Sequence, residues 1–155
     1  MAWRLRHRDF VAGKGAGNKR ALRRIVTEGG KPGILGYLGK EVVAWCAVAP
    51  REQYVYLSGS RVLKPVDDKP VWAISCLFVK KTYRRKGLSV KMLRAAAEFA
   101  VKQGAITVEG YPVEPAIASM PDPFVWTGIP SAFRAAGFKE VLRRSKSRPI
   151  MRFLP

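Results

Sequence analysis

Positive charge dominates this sequence of 155 residues: 29 are lysine or arginine and 11 are acidic, so the formal net charge is +18. The hydrophobic fraction of 48% argues against a disordered chain, and no apolar run is long enough to cross a bilayer. The length suits one domain, and we expect residues 1–155 to form it. Because no secretory signal is recognisable and Cys46 and Cys76 fall in apolar runs typical of buried free thiols, we expect a cytoplasmic protein.

The first third of the chain predicts a flexible segment, a helix and a hairpin. Residues 1–16 read as a flexible lead-in. Asn18 is suited to cap a helix that runs to about Glu28. The apolar face of this helix has three members: Leu22, Ile25 and Val26. Two apolar runs on either side of Gly39 and Lys40 predict a β-hairpin, at residues 34–38 and 42–48.

The stretch from Val71 to Gln103 combines a strand, a basic turn and a helix. Residues 71–79 are almost continuously apolar, which is typical of a strand covered on both faces. From Leu88 onward, apolar residues recur every three or four positions, as on one face of a helix. The members of this face are Met92, Leu93, Ala96, Phe99 and Ala100. Gly104 follows where a helix is commonly capped at its C-terminus.

The last third predicts a strand, a long loop and a closing pair of strands. A β-rich run at residues 105–110 predicts the first strand. Five prolines in the next 20 residues predict a long loop, and we expect Phe124 and Trp126 to fold inward from it. The remaining elements are a short helix and two strands, at residues 131–136, 138–143 and 149–153.

The basic turn ahead of the central helix is suited to bind phosphate. It reads Arg84-Arg85-Lys86-Gly87-Leu88-Ser89, with a glycine among cations at the entrance to the helix. The first amides of a helix lack intrahelical acceptors and lie at the positive end of its dipole, and glycine lets a ligand approach the backbone. The alternative is an ordinary strand-to-helix turn with a solvated basic face.

Two segments resemble motifs of the GNAT acetyltransferase superfamily. The first is Val79-Lys80-Lys81-Thr82-Tyr83-Arg84-Arg85-Lys86-Gly87-Leu88-Ser89. It is similar to the family's acyl-coenzyme A signature: a valine ending a strand, a tyrosine-arginine pair, and Arg/Gln-x-x-Gly-x-Gly/Ala opening a helix. Arg84 matches the first position and Gly87 the glycine, while Ser89 stands where the family has glycine or alanine. The second is Ala132-Phe133-Arg134-Ala135-Ala136-Gly137-Phe138, which resembles the family's late helix and its Gly-Phe exit into a strand.

The resemblance implies an α/β (α+β) fold with a mixed central β-sheet, splayed between the family's fourth and fifth strands and flanked by helices. It also implies acetyl-coenzyme A (coenzyme A) as cofactor and no metal. The pantetheine arm would contact the backbone of the fourth strand, one amide of which would polarise the thioester carbonyl. The pyrophosphate would lie on the amides from Arg85 through Val90. The implied cofactor-binding residues are Leu77, Phe78, Val79, Arg84, Arg85, Lys86, Gly87, Leu88, Ser89 and Val90.

The family's catalytic groups are matched only in part. A tyrosine often stands four residues before the late Gly-Phe and protonates the departing thiol, but this chain has Phe133 there. Tyr111, or water, is then the candidate general acid, and departure of the thiolate without help from the protein is the alternative. Glu109 is the candidate base, because burial near the splay would raise its pKa, and pairing with a nearby cation is the alternative.

Four other residues were candidates for chemistry. Glu114 and Asp122, on the proline-rich loop, are second choices for the base. His7 lies among arginines and is expected at the surface. Cys76 is expected to be a core cysteine rather than a nucleophile that carries the acyl group.

The resemblance implies an N-acetyltransferase that moves an acetyl group directly to a primary amine of a small molecule or peptide. The net charge leaves an acidic acceptor and nucleic-acid contact both open, although no nucleic-acid-binding motif is present. Family members are often dimers, so a homodimer is also open, and no membrane partner is expected. Two alternatives lack catalysis: an acyl-coenzyme A sensor, favoured by Phe133, and a basic nucleic-acid-binding module.

Overall fold

The structure is a computed structural model and describes residues 1–115 and 124–155. Within these residues, six strands form one sheet in the order β1-β2-β3-β4-β6-β5. Only β3 and β4 run parallel, and the other neighbours are antiparallel, so the sheet is mixed. In the described part of the chain, no helix is long and apolar enough to cross a membrane.

The predicted hairpin is confirmed. Strand β1 spans Gly33–Leu38 and strand β2 spans Glu41–Pro50, with the two-residue turn at Gly39 and Lys40 between them. The second half of β2 is almost entirely buried, since it crosses the middle of the sheet. The hairpin therefore places one central strand beside β3.

Strand β3 spans Trp72–Val79 and carries the splay of the sheet. All of β3 pairs with β2, from Ala44 to Pro50, but the register shifts between Ala47 and Val48, which leaves Ser75 as an extra residue on β3. On the other side it pairs with β4, Val108–Gly110, only from Trp72 to Ile74. A bulge of this kind bends a strand and interrupts pairing, so the second half of β3 diverges from β4.

Helix α4, Leu88–Lys102, packs on the sheet through its predicted apolar face. Met92, Leu93, Ala96 and Ala100 are buried in the main core, and Phe99 packs against it from the edge. Gly104 has a φ of +93° just past the helix end, as expected of a C-terminal cap. The strand–turn–helix unit predicted from the sequence is thus confirmed.

The closing elements also agree with the sequence. Helix α5 spans Pro130–Ala135, and strands β5 and β6 span Lys139–Arg143 and Pro149–Phe153. Strand β4 is shorter than predicted, because residues 105–107 precede the ladder. Strand β6 inserts between β4 and β5 and joins the two halves of the sheet.

The expectation that residues 1–16 form a flexible lead-in is wrong. Residues His7–Ala12 form helix α1, and helix α2 begins at Ala16 and ends at Thr27. Asn18 lies inside α2 and does not cap it, because its side-chain amide donates to the carbonyl of Phe10 and ties the two helices together. Val26 is 55% exposed, so its place on the apolar face was also predicted wrongly.

Trp3 anchors a second, smaller core beneath this N-terminal region. Its indole is 5% exposed and stacks on Tyr56 at 5.0 Å. The cluster also contains Tyr54, Leu57 and Tyr111. Leu57 belongs to the short helix α3, Val55–Gly59. Such long-range aromatic contacts order a segment whose sequence carries little periodicity.

Candidate active site

The N-terminus of α4 has the backbone geometry of an anion-binding site. Gly87 precedes the helix with φ +74°, and Arg85 has φ +58°, the left-handed region that a side chain rarely adopts. A turn with left-handed residues can point successive amides toward one side and form a concave nest for anions. The nest adjoins the positive end of the dipole of α4.

A cleft of about 710 Å³ extends from this turn along β3. Eight of the ten predicted cofactor-binding residues line it: Leu77, Phe78, Val79, Arg84, Arg85, Gly87, Leu88 and Ser89. Lys86 instead points its ammonium over the Tyr83 ring, 5.7 Å from the centroid, and Val90 packs against the core. The opposite wall was not predicted from the sequence, and it consists of Val125, Trp126, Gly128, Ile129 and Ala132.

The divergence of β3 from β4 opens backbone groups toward this cleft. The amide of Leu77 donates to the carbonyl of Trp126 at 2.7 Å, across the gap between the strands. Because amides alternate along a strand, the amide of Val79 faces the same side. The carbonyl of Val79 accepts a hydrogen bond from Nε of Arg84 at 2.8 Å, which holds the basic turn against the strand. A residue from the proline-rich segment therefore occupies part of the gap that the sequence assigned to pantetheine.

Glu109 and Tyr111 lie together in a buried ion-pair network. Tyr111 donates to Oε2 of Glu109 at 2.6 Å, and Nε of Arg152 donates to Oε1 at 2.9 Å. Arg51 donates to the Tyr111 hydroxyl oxygen and lies 3.6 Å from the Glu109 carboxylate. Burial, with Glu109 beside it, raises the pKa of Tyr111 well above its usual value. The pairing of Glu109 with a cation is what the structure shows, and the catalytic roles of both residues stay predictions.

This network faces a different cavity from the cleft. Glu109 lines a pocket of about 530 Å³ together with Arg51, Asp67 and Arg152. Asp67 accepts two hydrogen bonds from the guanidinium of Arg152, at 2.6 and 2.9 Å. The Arg152 hydrogen bond lowers the pKa of Asp67 to about 2, so this carboxylate is ionised across the physiological range.

The remaining candidates do not converge on the cleft. Phe133 is fully buried and packs its ring edge-on against Phe138 at 5.0 Å. Glu114 pairs with Arg143 at 2.9 Å, and His7 is exposed on α1. Asp122 lies outside the described residues.

Cys76 behaves as a core thiol. It is a free cysteine, partly buried, and burial raises its pKa above the usual value. A thiol with a raised pKa is a poor nucleophile at neutral pH, which agrees with its predicted structural role. Among the described residues, no group of three or more histidine, cysteine, aspartate or glutamate side chains could hold a metal ion.

An aromatic pocket of about 210 Å³ lies on the other face of β3. Trp3, Trp45, Tyr54 and Trp126 form much of its wall, with Cys76 and Arg4. Trp126 lines both this pocket and the cleft, so the two meet at the splay. Trp126 contacts Trp3 edge-on at 5.5 Å, as expected of a residue folded inward, whereas Phe124 is 65% exposed and was predicted wrongly. Sequence patterns did not reveal this pocket, because its residues come from segments that are far apart in the chain.

Comparison with solved structures places the fold among acetyltransferases. A GNAT family acetyltransferase from Streptococcus agalactiae superposes with a TM-score of 0.58 at 11% identity, covering 94% of this chain and 77% of that one. The ribosomal-protein-alanine N-acetyltransferase of Brucella melitensis gives 0.56 at 14% identity, covering 89% and 76%. The aminoglycoside acetyltransferase AAC(6')-Ib, solved with paromomycin and acetyl-coenzyme A, gives 0.51 at 17% identity. This chain covers 62% of that enzyme's length, and 77% of this chain is aligned.

A family-level match extends this likeness to the sequence. No curated protein matches the sequence at a significant level. The profile of the acetyltransferase (GNAT) family matches residues 2–118, well over half of the 155 residues. The match includes β3, the basic turn, α4 and β4, and it ends before α5, β5 and β6. The chain therefore belongs to the acetyltransferase (GNAT) family.

Proposed function

We propose that this chain, as a single cytoplasmic domain of residues 1–155, transfers the acetyl group of acetyl-coenzyme A directly to a primary amine of a small molecule or peptide. The observation that carries the proposal is the continuity of one cleft, from the amide nest before α4, along the diverging half of β3, to Trp126. A diphosphate suits the nest, and an extended chain suits the gap beside a strand.

The residues of the cleft fit this cofactor. Gly87 has nothing within 4 Å of the position where a Cβ would stand, so the turn is open to a ligand. Arg84 and Arg85 line the same space and supply positive charge for phosphates. The group would bring an activated thioester to the splay. The family likeness supports the same choice, since AAC(6')-Ib was solved with acetyl-coenzyme A.

The chain's own contribution to the reaction is mainly positioning. Amides from Arg85 through Val90 would hold the diphosphate, and the amide of Val79 is placed to donate to an acceptor in the gap. The amide of Leu77 could do so only after its bond to Trp126 breaks. A fixed amide in a site shielded from water stabilises developing negative charge without reorganisation.

Replacement of Gly87 tests the cofactor site. Gly87→Glu puts a carboxylate at the nest, and we expect acetyl-coenzyme A to lose its effect on the melting temperature while the protein remains folded. The matched control is Gly39→Glu, because Gly39 also has a positive φ, +58°, and open space around it, but lies in the β1–β2 turn. The control should bear similar backbone strain and keep the ligand-induced shift.

Two outcomes would contradict the proposal. If Gly87→Glu retains full stabilisation by acetyl-coenzyme A, the nest is not the diphosphate site. If wild-type protein binds acetyl-coenzyme A but acetylates no amine in a broad panel, the protein is a sensor, the alternative that Phe133 favours. Release of the coenzyme A thiol, detected with a colorimetric reagent, distinguishes an enzyme from a sensor.

A further inference from the structure

The aromatic pocket on the far face of β3 indicates what kind of amine is acetylated. Its volume is about 210 Å³. A cavity of about 150 Å³ with apolar walls is enough to bind benzene. The pocket therefore has room for one aromatic ring with a small substituent. Ser75 and Cys76 of the pocket directly precede Leu77 of the cleft, and Trp126 lines both cavities, so an amine on such a ring would lie beside the splay.

The charge around the pocket is unfavourable for a cationic acceptor. Of the described residues that line it, Arg4 carries the only charged side chain, and none is a carboxylate. Arg4 is held in place by Oε1 of Gln53 at 2.6 Å and by the ring of Tyr54, 4.7 Å from its guanidinium carbon. An amine beside this guanidinium and aromatic walls loses its proton more easily than in water. The net charge of +18 acts in the same direction.

Two ring faces near the pocket are already occupied. One face of Trp3 is stacked on Tyr56, with an interplanar angle of 15°. A face of Tyr54 carries the guanidinium of Arg4. Cation–π binding needs an open face, so neither of these two faces is offered to an ammonium group.

Proton transfer leads to the same class of substrate. Glu109, the base predicted from the sequence, lines another pocket and is paired with Arg152. Phe133 has no hydroxyl to donate. An uncharged amine needs no base before it attacks. Its nitrogen bonds to the acetyl carbon, the carbon–sulfur bond breaks with its electron pair on sulfur, and one proton passes from nitrogen to that sulfur, directly or through water.

We propose that this pocket, lined by Trp3, Trp45 and Trp126, holds the acceptor, and that the acceptor is a small aromatic primary amine uncharged at neutral pH. The proposal rests on the function proposed above. It separates this chain from AAC(6')-Ib, which was solved with the aminoglycoside paromomycin.

Binding and turnover are to be measured separately, with aniline as the probe. Three of the four tryptophans line the pocket, so aniline should quench intrinsic fluorescence saturably without any cofactor. Trp72→Phe, which removes the tryptophan outside the pocket, should retain the quenching.

In turnover with acetyl-coenzyme A at pH 7, we expect kcat/KM for aniline to exceed that for benzylamine about tenfold or more, and no reaction with kanamycin. Benzylamine carries the same ring but a charged amine.

Variants inside the pocket test whether aniline binds there. Ala47→Leu adds bulk inside the pocket and should raise the Kd for aniline about tenfold or more, while acetyl-coenzyme A still raises the melting temperature. Tyr37→Ala, an exposed residue on β1, is the matched control and should change neither value. If Ala47→Leu does not fold, Trp45→Ala at the half-buried rim replaces it and should also weaken aniline binding.

Preference for kanamycin or benzylamine over aniline, or aniline binding that Ala47→Leu and Trp45→Ala leave unchanged, would overturn the proposal. So would acetyl-coenzyme A binding without transfer to aniline. If acetyl-coenzyme A fails to stabilise the protein while aniline binds as described, the proposed function fails and the pocket assignment stands. These results are therefore distinguishable.

Discussion

At the scale of single residues, the carboxylate of Glu109 is a buried charge with several partners. It is 1% exposed and receives hydrogen bonds from Tyr111 and Arg152, with Arg51 close by. Removing one partner of a buried pair leaves the other charge without compensation. We expect Glu109→Gln to lower the free energy of unfolding by about 3 kcal/mol, measured by urea denaturation.

Glu140→Gln is the control for this change. Glu140 pairs with Arg143 at 2.7 Å on the surface, where an ion pair contributes little. Its loss should cost less than about 1 kcal/mol. Equal costs for the two variants would contradict a structural role for the Glu109 network.

The predicted role of Glu109 as general base needs a separate measurement on the folded fraction of the same variant. A base contributes about a hundredfold or more to turnover, so its loss would lower kcat while leaving the affinity for acetyl-coenzyme A unchanged. We expect little change in kcat per folded molecule, because the carboxylate faces the pocket of Asp67 and Arg152. A hundredfold fall would restore Glu109 as the base.

Asp67 should make stability depend on pH in the acid range. The Arg152 hydrogen bond lowers its pKa from the ordinary 3.8 to about 2 in the folded protein. The unfolded chain therefore binds more protons between these values, and stability is lost as the pH falls from about 4 to about 2. We expect Asp67→Asn to flatten the dependence of the urea midpoint on pH in this window, and Asp68→Asn, its neighbour, to leave the dependence in place.

At the scale of elements, the cleft along β3 exists because β3 and β4 stay together for only three residue pairs. The extra residue Ser75 redirects β3, and β4 ends at Gly110, where the ring of Phe133 from α5 fills the space. The segment around Trp126 then crosses the gap through its bond to Leu77. Both strands therefore contribute to the splay, because β3 is bent at Ser75 and β4 ends at Gly110.

Gly110 tests the contact between β4 and α5. A Cβ at this position would lie 1.9 Å from Cε1 of Phe133, which a buried ring can relieve only by moving. We expect Gly110→Ala to cost about 2 kcal/mol in urea unfolding. In a Phe133→Leu background the same change should cost about 1 kcal/mol less, because the clashing atoms are gone.

The matched glycine for this comparison is Gly59, at the end of α3, where nothing lies within 4 Å of the added Cβ. Gly59→Ala should be neutral or slightly stabilising, since alanine favours a helix by up to about 1 kcal/mol. A similar loss at both glycines would point to backbone effects rather than to the Phe133 contact.

At the scale of the whole molecule, the excess of positive charge should govern the encounter with an anionic cofactor. Screening lengths fall from about 30 Å at 0.01 M salt to about 8 Å at 0.15 M. We expect the association rate for acetyl-coenzyme A, followed by stopped-flow fluorescence, to fall several-fold over this range, with a smaller change in the dissociation rate. A rate independent of salt would show that the net charge of +18 serves another purpose.

Much of the fold was predictable because its signals are local. The switch of apolar period between β3 and α4, and the two-residue turn of the hairpin, depend on neighbours within a few residues. The same holds for the nest, since a glycine among cations before a helix is visible in the sequence. The resemblance to the family signature implied ten cofactor residues in this unit, and eight of them line the cleft.

Only the tertiary structure decided which residues from distant segments meet on the sheet. Trp3, Trp45, Tyr54 and Trp126 are far apart in the chain and meet only when the N-terminal segment, β2 with the turn after it, and the proline-rich segment pack on β3. The partners of Glu109 were equally hidden, because Arg152 reaches it from a strand 43 residues away. Local sequence thus determined the strand, turn and helix that would hold the cofactor. The aromatic pocket and the pairing of buried charges depended on long-range packing, which no pattern within a single segment encodes.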